Sequence, residues 1–475
     1  MKEYKNLEIQ YWGLILFGEE VRDPDTEQAL GELYLRHQER LCESIYGSFT
    51  ILIADREKKQ LLALRSEYGS PTDLFFRWNG SKYEMSPALS AVLTQKETVE
   101  RNDEGNLSFF FQHGFPPGLT TLIRDVYRVP PGTYVQLTNR DQMIRSGPVR
   151  TKMGRAYTTN EAKERYPILL RAAVKEYIGK AEKIGISLSG GFDSNFLLWQ
   201  LNKLDRPIDA FTVGGKIGRN EISKAEISAG CYQNVYLHSH VVDGSTLLQL
   251  EEIVWKLEGS VYERGIFLQY ELAKIARLRE IQKIVAGEGA DQIMNENYCL
   301  WDSVNSFRSG DIWHETPDIA LRNLVLPKSA KMLHAFGVQG CYPYLHPEMV
   351  SCFRALAKLN GTTKAFHTET VRSTVDRRIA DILENVGGAT YISTLFEDLD
   401  EDEIARRGWM LPNPERLAEE YPPETVKRIL SDSIKALYME TFFEIMTSPE
   451  RREACSARYA PHPAFPTAPA TCISP

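Results

Sequence analysis

The stretch that decides the fold runs from Lys183 to Ser194 and reads Lys-Ile-Gly-Ile-Ser-Leu-Ser-Gly-Gly-Phe-Asp-Ser. Its apolar part, Ile184–Leu188, predicts a buried strand, and the glycines after it predict a tight turn into a helix that begins at about Asp193. Backbone amides and hydroxyls at such a turn are suited to phosphate oxygens, because glycines let an anion approach the backbone closely. Asp193 cannot attract phosphate by itself, so we expect it to hold Mg²⁺. A tight turn with an aspartate cap and no ligand is the alternative.

Helices and strands alternate on both sides of this stretch. The patterns predict a helix at about 160–178, strands at 208–213, 234–241 and 283–285, and helices at 221–229, 245–257 and 267–279. Strands that alternate with helices predict a doubly wound parallel α/β sheet, in which ligands bind where the strands end.

A second acidic loop follows the strand at 283–285 and reads Gly287-Glu-Gly-Ala-Asp291. In a doubly wound sheet this loop and the first one emerge at the same edge and can form one pocket. Asp291 is then a candidate second contact for Mg²⁺, and Glu288 is a candidate general base towards an amine. A capped turn without chemistry is the alternative interpretation.

The chain divides into regions with different patterns. Residues 1–140 are rich in short strands joined by brief turns, which predicts antiparallel sheets in an α+β domain. Residues 141–159 are polar and contain Gly147-Pro148, so we expect a linker. We expect a second domain at 160–455, mostly helical after about 310, and a loose tail rich in proline and alanine at 456–475.

Composition excludes several classes of protein. The 475 residues carry a net charge of −8 and contain no basic block, so we expect no nucleic-acid partner. No apolar run is long enough to span a membrane, and no signal peptide is visible. The seven cysteines are scattered, without a CxxC pair, which favours a reducing, cytoplasmic location and argues against a zinc cluster.

The motifs together resemble the asparagine synthetase B-type family. Ser189–Ser194 is similar to its SGGxDS pyrophosphate loop, Gly287–Asp291 to its GEGxD loop, and Phe211–Gly214 to its second strand. Gly47–Ile51 and Val129–Gly132 resemble the family's glutaminase-type domain. The resemblance implies a glutaminase-type antiparallel β-sandwich followed by a doubly wound ATP-pyrophosphatase domain with a helical C-terminal part.

The resemblance also implies ATP and Mg²⁺ as cofactors. It places Asp193 and Asp291 at the metal, Glu288 with them in catalysis, and Val213 and Gly214 beside the adenine. The remaining cofactor-binding residues that it implies lie in the two loops: Ser187, Ser189, Gly190, Gly191, Ser194 and Gly287.

Some positions depart from the family pattern. Glutamine-dependent members carry a cysteine nucleophile after the initiator Met, where this chain has Lys2, and its first cysteine is Cys42. We therefore expect no glutamine hydrolysis by that route, as in lasso-peptide cyclases and β-lactam or carbapenam synthetases. A Tyr of the β-lactam enzymes is replaced by Glu288, which disfavours β-lactam closure.

Further departures concern charge. The lysine expected near Gly387 is absent, and Arg377 or Arg378 is a candidate replacement. Where the family has Arg and Asp, this chain has Cys341 and His346, which puts an aspartate substrate in doubt. We expect His346 to be a structural or capping histidine rather than a base.

The function expected from these features is an ATP-dependent, AMP-forming carbon–nitrogen ligase or cyclase. It would adenylate a carboxylate and let an amine attack it, in the biosynthesis of a natural product such as a peptide macrocycle. The substrate would be a small molecule or peptide that bears both groups; a homodimer and biosynthetic partner proteins are further expectations. An ammonia-dependent asparagine-like synthetase and a nucleotide-binding pseudo-enzyme are the alternatives.

Overall fold

The computed structural model describes most of the chain. The described residues are 2–18, 25–93, 99–138, 143–149, 154–216, 221–294, 319–357, 363–383, 401–409, 411 and 414–459, with Leu395, Leu399 and the backbone of Thr471–Cys472.

Fifteen strands form three sheets in the described residues. They are β1 Lys2–Tyr4, β2 Leu7–Phe17, β3 Ile45–Asp55, β4 Gln60–Arg65, β5 Phe75–Trp78, β6 Tyr83–Ser86, β7 Tyr127–Arg128, β8 Thr133–Thr138, β9 Met143–Pro148, β10 Ile184–Ser187, β11 Ile208–Gly215, β12 Val235–Val242, β13 Lys283–Val285, β14 Gln339–Cys341 and β15 Thr471–Cys472.

The α-helices of the described residues are numbered in chain order. They are α1 Thr26–His37, α2 Leu89–Val92, α3 Glu104–His113, α4 Thr159–Ile178, α5 Phe192–Asn202, α6 Glu221–Ala229, α7 Gly244–Leu247, α8 Leu250–Leu257, α9 Ile266–Leu278, α10 Ala290–Met294, α11 Leu326–Ala335, α12 Pro347–Leu356, α13 Thr363–Thr374, α14 Arg377–Ile382, α15 Glu401–Arg406, α16 Pro414–Glu420, α17 Pro423–Thr447 and α18 Pro449–Arg458. A π-turn at Leu321–Val325 and 3₁₀ turns at Gln38–Ser44 and Pro343–Leu345 complete the set.

The N-terminal domain is an antiparallel sandwich. One sheet has the order β1-β2-β3-β4-β8-β9 and the other β15-β6-β5-β7. Side chains of β3 alternate between two cores: Ile51 and Ile53 pack under α1, and Leu52 and Ala54 pack between the sheets. This alternation is the period that the sequence predicts for the region.

The second domain is built on a parallel sheet of order β12-β11-β10-β13-β14. The chain runs outward from β10 through β11 to β12 and then returns to the other side of β10 with β13. The switch point of the sheet therefore lies between β10 and β13, where doubly wound sheets bind ligands. Both faces are covered, since Ile284 and Val285 belong to different cores. The predicted fold class is confirmed.

Three expectations about boundaries need correction. The predicted linker 141–159 contains the edge strand β9. Despite its polar sequence, β9 pairs with β8, from Thr133 opposite Pro148 to Thr138 opposite Met143. The helix expected at 245–257 is two helices, α7 and α8. In the tail 456–475, α18 continues to Arg458, and β15 pairs with β6. The outer limits of the two predicted domains remain predictions.

In the part of the chain that the structure describes, the helices are all too short or too polar to cross a membrane.

Candidate active site

The first loop is shaped by close contact with a neighbouring helix. Strand β10 ends at Ser187, and α5 begins at Phe192 behind Gly191. Gly190 has a φ of +75°, and a Cβ there would lie 2.5 Å from the Cβ of Lys224 on α6. Only glycine fits this backbone without moving α6. The loop thus leads the chain directly into the exposed amides of the α5 N-terminus, as the sequence predicts.

The second loop follows the adjacent strand β13. Gly289 has a φ of +91°, and a Cβ there would lie 2.5 Å from Cδ2 of Leu345. Asp291 is in the first turn of α10. A Cβ on Gly287 would lie 3.3 Å from the Cβ of Asp193, so the two loops are in contact.

The two loops line a single cavity of about 410 Å³. Gly190 and Gly214 are the predicted site residues that do not line it: Gly190 packs on α6, and a Cβ on Gly214 would point towards Ile222. Other wall residues come from β11, α6 and α9. The predicted site residues that the cavity brings together are Ser187, Ser189, Gly191, Asp193, Ser194, Val213, Gly287, Glu288 and Asp291.

The structure supplies a cation that sequence reasoning placed elsewhere. Lys364, in the first turn of α13, lines the cavity, and its Nζ lies 3.3 Å from Oδ1 of Asp193 and in direct contact with Oδ1 of Asp291. The prediction that Arg377 or Arg378 supplies the cation is therefore wrong for this cavity, because Lys364 occupies that place. Gly387 lies outside the described residues. Of the proposed replacements, Arg378 is exposed and pairs with Asp376 at 3.1 Å, and neither it nor Arg377 lines the cavity.

The two carboxylates differ in their electrostatic surroundings. Burial raises the pKa of the Asp193 carboxyl, but contacts with His367 and Lys364 outweigh burial, so the pKa lies below its usual range. Burial and the charge of Asp193 raise the pKa of Asp291, although Lys364 opposes them. Burial disfavours the charged form of Lys364, but both carboxylates raise its pKa overall. The site is thus arranged to keep Asp193 ionised.

Two further acidic residues line the cavity. Glu288 accepts a hydrogen bond from Nε2 of Gln269 on α9 at 3.2 Å. Glu221, at the start of α6, has a pKa raised to about 7 by burial, with Lys224 opposing the shift. Three residues of the cavity wall were not predicted as site residues, because each reaches the site from a helix rather than from a recognisable loop: Gln269, Glu221 and Lys364.

The donor set fits a magnesium ion held jointly with a nucleotide. Asp193 and Asp291 present carboxylate oxygens to one cavity, and Lys364 bridges them, so their oxygens are close enough to share a cation. In the described residues, no cluster of three or more His, Cys, Asp or Glu side chains could hold a metal by itself. Mg²⁺ usually takes one or two carboxylates and completes its shell with water and phosphate oxygens. The residues present therefore suit Mg²⁺ bound with phosphates.

Residues at the other departures have structural roles. His346 caps α12 by accepting from the backbone N–H of Glu348 at 3.2 Å, as expected for a structural histidine, and its Nε2 lies 3.1 Å from Glu176. Cys341 is fully buried in β14. Cys42 is also buried, and its thiol donates to the carbonyl of Glu39 at 3.2 Å.

Fold and site together define a two-domain protein in which an antiparallel sandwich precedes an α/β domain with a phosphate-type loop. Comparison with known proteins agrees with this division. A family described as asparagine synthase matches residues 166–307, and one described as a glutamine amidotransferase domain matches residues 18–146. Asparagine synthetase [glutamine-hydrolyzing] 1 of Bacillus subtilis is 24% identical over 281 residues. The chain is therefore similar to asparagine synthetases in both of its domains.

The similarity to relatives is partial. The match to the Bacillus subtilis protein covers 57% of this chain and 43% of that one, so the chain spans less than half of its relative's length. Among solved structures, the NMN synthetase of Francisella tularensis is 13% identical, with 47% of this chain and 91% of that one covered and a TM-score of 0.23. The glutamine-dependent NAD⁺ synthetase of Acinetobacter baumannii is also 13% identical. The match covers 67% of this chain and 50% of that one, with a TM-score of 0.25. With TM-scores this low, these two structures carry no argument about the function of this chain.

Proposed function

We propose that the protein is an ATP-dependent, AMP-forming amide ligase. The observation that carries the proposal is the convergence of Asp193, Asp291, Lys364 and Glu288 on one cavity at the switch point of the sheet. Similarity to the asparagine synthase family over residues 166–307 supports the use of ATP. A cavity that combines anion-binding amides, a cation and a separate carboxylate suits both halves of such a reaction.

In the first half-reaction, a substrate carboxylate oxygen attacks the α-phosphorus of ATP, and the bond to pyrophosphate breaks. The amides of the Ser189–Ser194 loop bind the departing pyrophosphate, and Lys364 offsets its charge. Asp193 and Asp291 would hold Mg²⁺, which would neutralise further phosphate charge.

In the second half-reaction, an amine attacks the acyl carbon of the acyl-adenylate, and AMP leaves with the bridging oxygen. Glu288 takes the proton that the amine loses as the carbon–nitrogen bond forms. The hydrogen bond from Gln269 leaves the second oxygen of Glu288 for this task. Holding the amine next to the adenylate contributes more to the rate than any further chemistry.

The amine is proposed to arrive as part of the substrate and not from glutamine. The N-terminal domain contains one cysteine before residue 140, Cys42, which is buried in the core and cannot reach a substrate. Tyr68 of the N-terminal domain packs into the cluster around Tyr342 and Leu345 of the second domain. An intramolecular substrate, such as the precursor of a natural-product macrocycle, would bring its own amine into the site.

An ammonia-dependent asparagine-like synthetase is the second candidate. The carboxylate of Glu288, which resembles the asparagine-synthetase form of this loop, favours it. A nucleotide-binding pseudo-enzyme is less well supported than the sequence suggested, because its main argument was the missing lysine and Lys364 lies at the site.

Exchange of radioactive pyrophosphate into ATP tests the proposal. We expect exchange to depend on a carboxylate substrate and to fall about 10²–10³-fold in Asp193→Asn. Glu226→Gln, on the exposed face of α6, is the matched control for loss of one negative charge. Wild-type exchange in Asp193→Asn would refute the assignment of this cavity to adenylation.

Product analysis separates the two candidates. Asparagine from aspartate, ammonia and ATP would favour the second candidate. Loss of one water from a substrate that bears both an amine and a carboxylate would support the first.

A further inference from the structure

A buried polar cluster lies behind the first loop, on the side away from the cavity. His367 is fully buried, its Nε2 lies 2.8 Å from Oδ1 of Asp193, and its Nδ1 lies 2.6 Å from the hydroxyl of Tyr166. Tyr344 adds a hydrogen bond of 3.0 Å from its hydroxyl to the backbone carbonyl of Asp193. Three elements distant in sequence thus hold one aspartate in place.

Apart from the partners of its two nitrogens, the surroundings of the His367 ring are aromatic. Its ring packs against the rings of Phe196, Tyr166 and Tyr344, with centroids about 6 Å away. A buried imidazole is costly unless its nitrogens have partners, so a histidine would not persist here for packing alone. Leucine would fill such an apolar space at no polar cost.

The hydrogen positions follow from the partners. A carboxylate oxygen only accepts, so Nε2 of His367, which lies 2.8 Å from Oδ1 of Asp193, carries a hydrogen. Nδ1 shares its hydrogen bond with Tyr166, which fixes the ring. The distance of 2.8 Å between Nε2 of His367 and Oδ1 of Asp193 is short, but the two groups are not aligned for a straight hydrogen bond.

His367 and Lys364 both contact Asp193, but they differ in their exposure to solvent. They are three residues apart on α13 and so lie on the same face of the helix. Lys364 is partly exposed and lines the cavity, whereas His367 is fully buried. Mg²⁺ held by Asp193 and Asp291 would compete with Lys364 for their oxygens, whereas His367 contacts Asp193 without lining the cavity.

We propose that His367 is a positioning residue for the metal-binding carboxylate. Its Nε2 holds Oδ1 of Asp193, so that the carboxylate keeps the rotamer in which it can bind Mg²⁺ together with Asp291. Tyr166 acts one step further back by holding the ring. This inference rests on the proposed function, because it takes Asp193 to be a metal ligand.

The test is Mn²⁺ binding to the full chain, measured by electron paramagnetic resonance in the presence of α,β-methylene-ATP. His367→Leu fills the space without a donor, and we expect it to weaken Mn²⁺ binding about 10- to 100-fold. In His367→Gln the amide nitrogen can occupy the position of Nε2, so we expect affinity within about threefold of wild type. In His367→Asn the amide nitrogen is too short to reach Asp193, so we expect it to behave like His367→Leu.

Two further variants make the outcomes distinct. Phe353→Leu removes part of a ring that packs on Tyr166 and Tyr344 but no polar group, so we expect unchanged Mn²⁺ affinity.

Asp193→Asn should abolish Mn²⁺ binding. If it does not, the metal assignment in the proposed function fails. If it does, but His367→Asn and His367→Leu bind Mn²⁺ as wild type does, the positioning role is overturned while the proposed function stands. If His367→Leu does not fold, the contrast between His367→Gln and His367→Asn decides alone.

Discussion

The Nζ atom of Lys364 lies 3.3 and 3.4 Å from the two carboxylate oxygens of Asp193, across 171 residues of sequence. The same Nζ contacts Asp291, so one cation joins the loops that follow β10 and β13. Because all three groups are largely shielded from water, their charges interact more strongly than surface charges do. The helix α13 therefore completes a site that the two loops only begin.

Replacing Lys364 with methionine should impair adenylation while the fold persists. The variant keeps the length of the side chain but removes the charge that opposes Asp193, Asp291 and the phosphates. We expect pyrophosphate exchange to fall about 10²–10³-fold and Lys364→Arg to retain part of it. Unchanged exchange in Lys364→Met would show that the lysine serves only to pair the carboxylates.

The sequence could predict the two loops but not the groups that come to meet them. Short-range signals, namely the glycines and the strand–helix alternation, specify Ser189–Ser194 and Gly287–Asp291. Lys364 follows Gly361-Thr-Thr in a segment without distinctive chemistry, and the resemblance implies a lysine near Gly387 instead. A lysine in the first turn of a helix looks like a solvated surface residue until tertiary structure places carboxylates beside it.

Buried partners were harder still to predict. His367 has the spacing of an ordinary core position, and nothing local distinguishes a histidine bound to Asp193 from a satisfied core histidine. Likewise, β9 has a polar sequence with Gly147-Pro148, and its strand structure comes from pairing with β8. Local sequence therefore predicts elements whose conformation it determines, and not those that a distant neighbour determines.

Gly190→Ala and Gly191→Ala form a matched pair that tests the packing of the first loop. At Gly190 the left-handed backbone costs alanine about 1–2 kcal/mol, and the new Cβ would overlap Lys224. At Gly191 the nearest atom to a Cβ is Oγ of Ser189 at 3.5 Å, an ordinary contact. We expect a lower melting temperature for Gly190→Ala only. Equal melting temperatures would contradict the close approach of α6.

Nucleotide binding should weaken as the pH rises through about 7. The Glu221 carboxyl, which lines the cavity, has its pKa raised to about 7 by burial, so it gains its negative charge in this range. An anionic nucleotide disfavours that charge, so binding favours the protonated form and affinity falls with increasing pH. Titration of a fluorescent ATP analogue from pH 6 to 8 measures the effect.

Glu221→Gln serves as the control for this pH dependence, because it is neutral throughout and leaves the titration of the nucleotide itself unchanged. We expect a smaller loss of affinity with pH in Glu221→Gln than in wild type. If affinity falls equally with pH in wild type and Glu221→Gln, the charge of Glu221 does not affect nucleotide binding.

The two domains should depend on each other through a buried ion cluster. Asp73 of the N-terminal domain pairs with Arg65 at 2.5 Å and contacts Lys331 of α11, and all three are buried. Asp73→Asn removes the carboxylate that Arg65 and Lys331 share and leaves Lys331 with Glu258 at 3.5 Å, so we expect a loss of about 3–5 kcal/mol in the free energy of unfolding. Lys331→Met leaves Asp73 paired with Arg65 and should cost less.

The same cluster predicts a dependence of stability on pH. Burial raises the pKa of Asp73, but Arg65 and Lys331 outweigh it and hold the pKa well below its usual range. The stability from this depressed pKa is present above the unfolded value of about 3.9 and is lost as the pH falls further. Denaturant unfolding of wild type and Asp73→Asn at pH 7 and pH 3 checks this, and a constant difference between them would contradict it.

Gln269 should affect amide formation through Glu288 and leave adenylation nearly unchanged. Its amide donates to Glu288 at 3.2 Å, so Gln269→Leu removes the contact that orients this carboxylate. We expect pyrophosphate exchange close to wild type and a rate of amide formation reduced about tenfold, the value of one hydrogen bond to a charged group.

Glu288→Gln alone should reduce the rate of amide formation about 10²–10⁴-fold. Because the two residues act as one unit, Gln269→Leu should cost little more in the Glu288→Gln background. Single-turnover assays that separate the two half-reactions measure these rates, and independent losses that multiply in the double variant would show that Gln269 acts without Glu288.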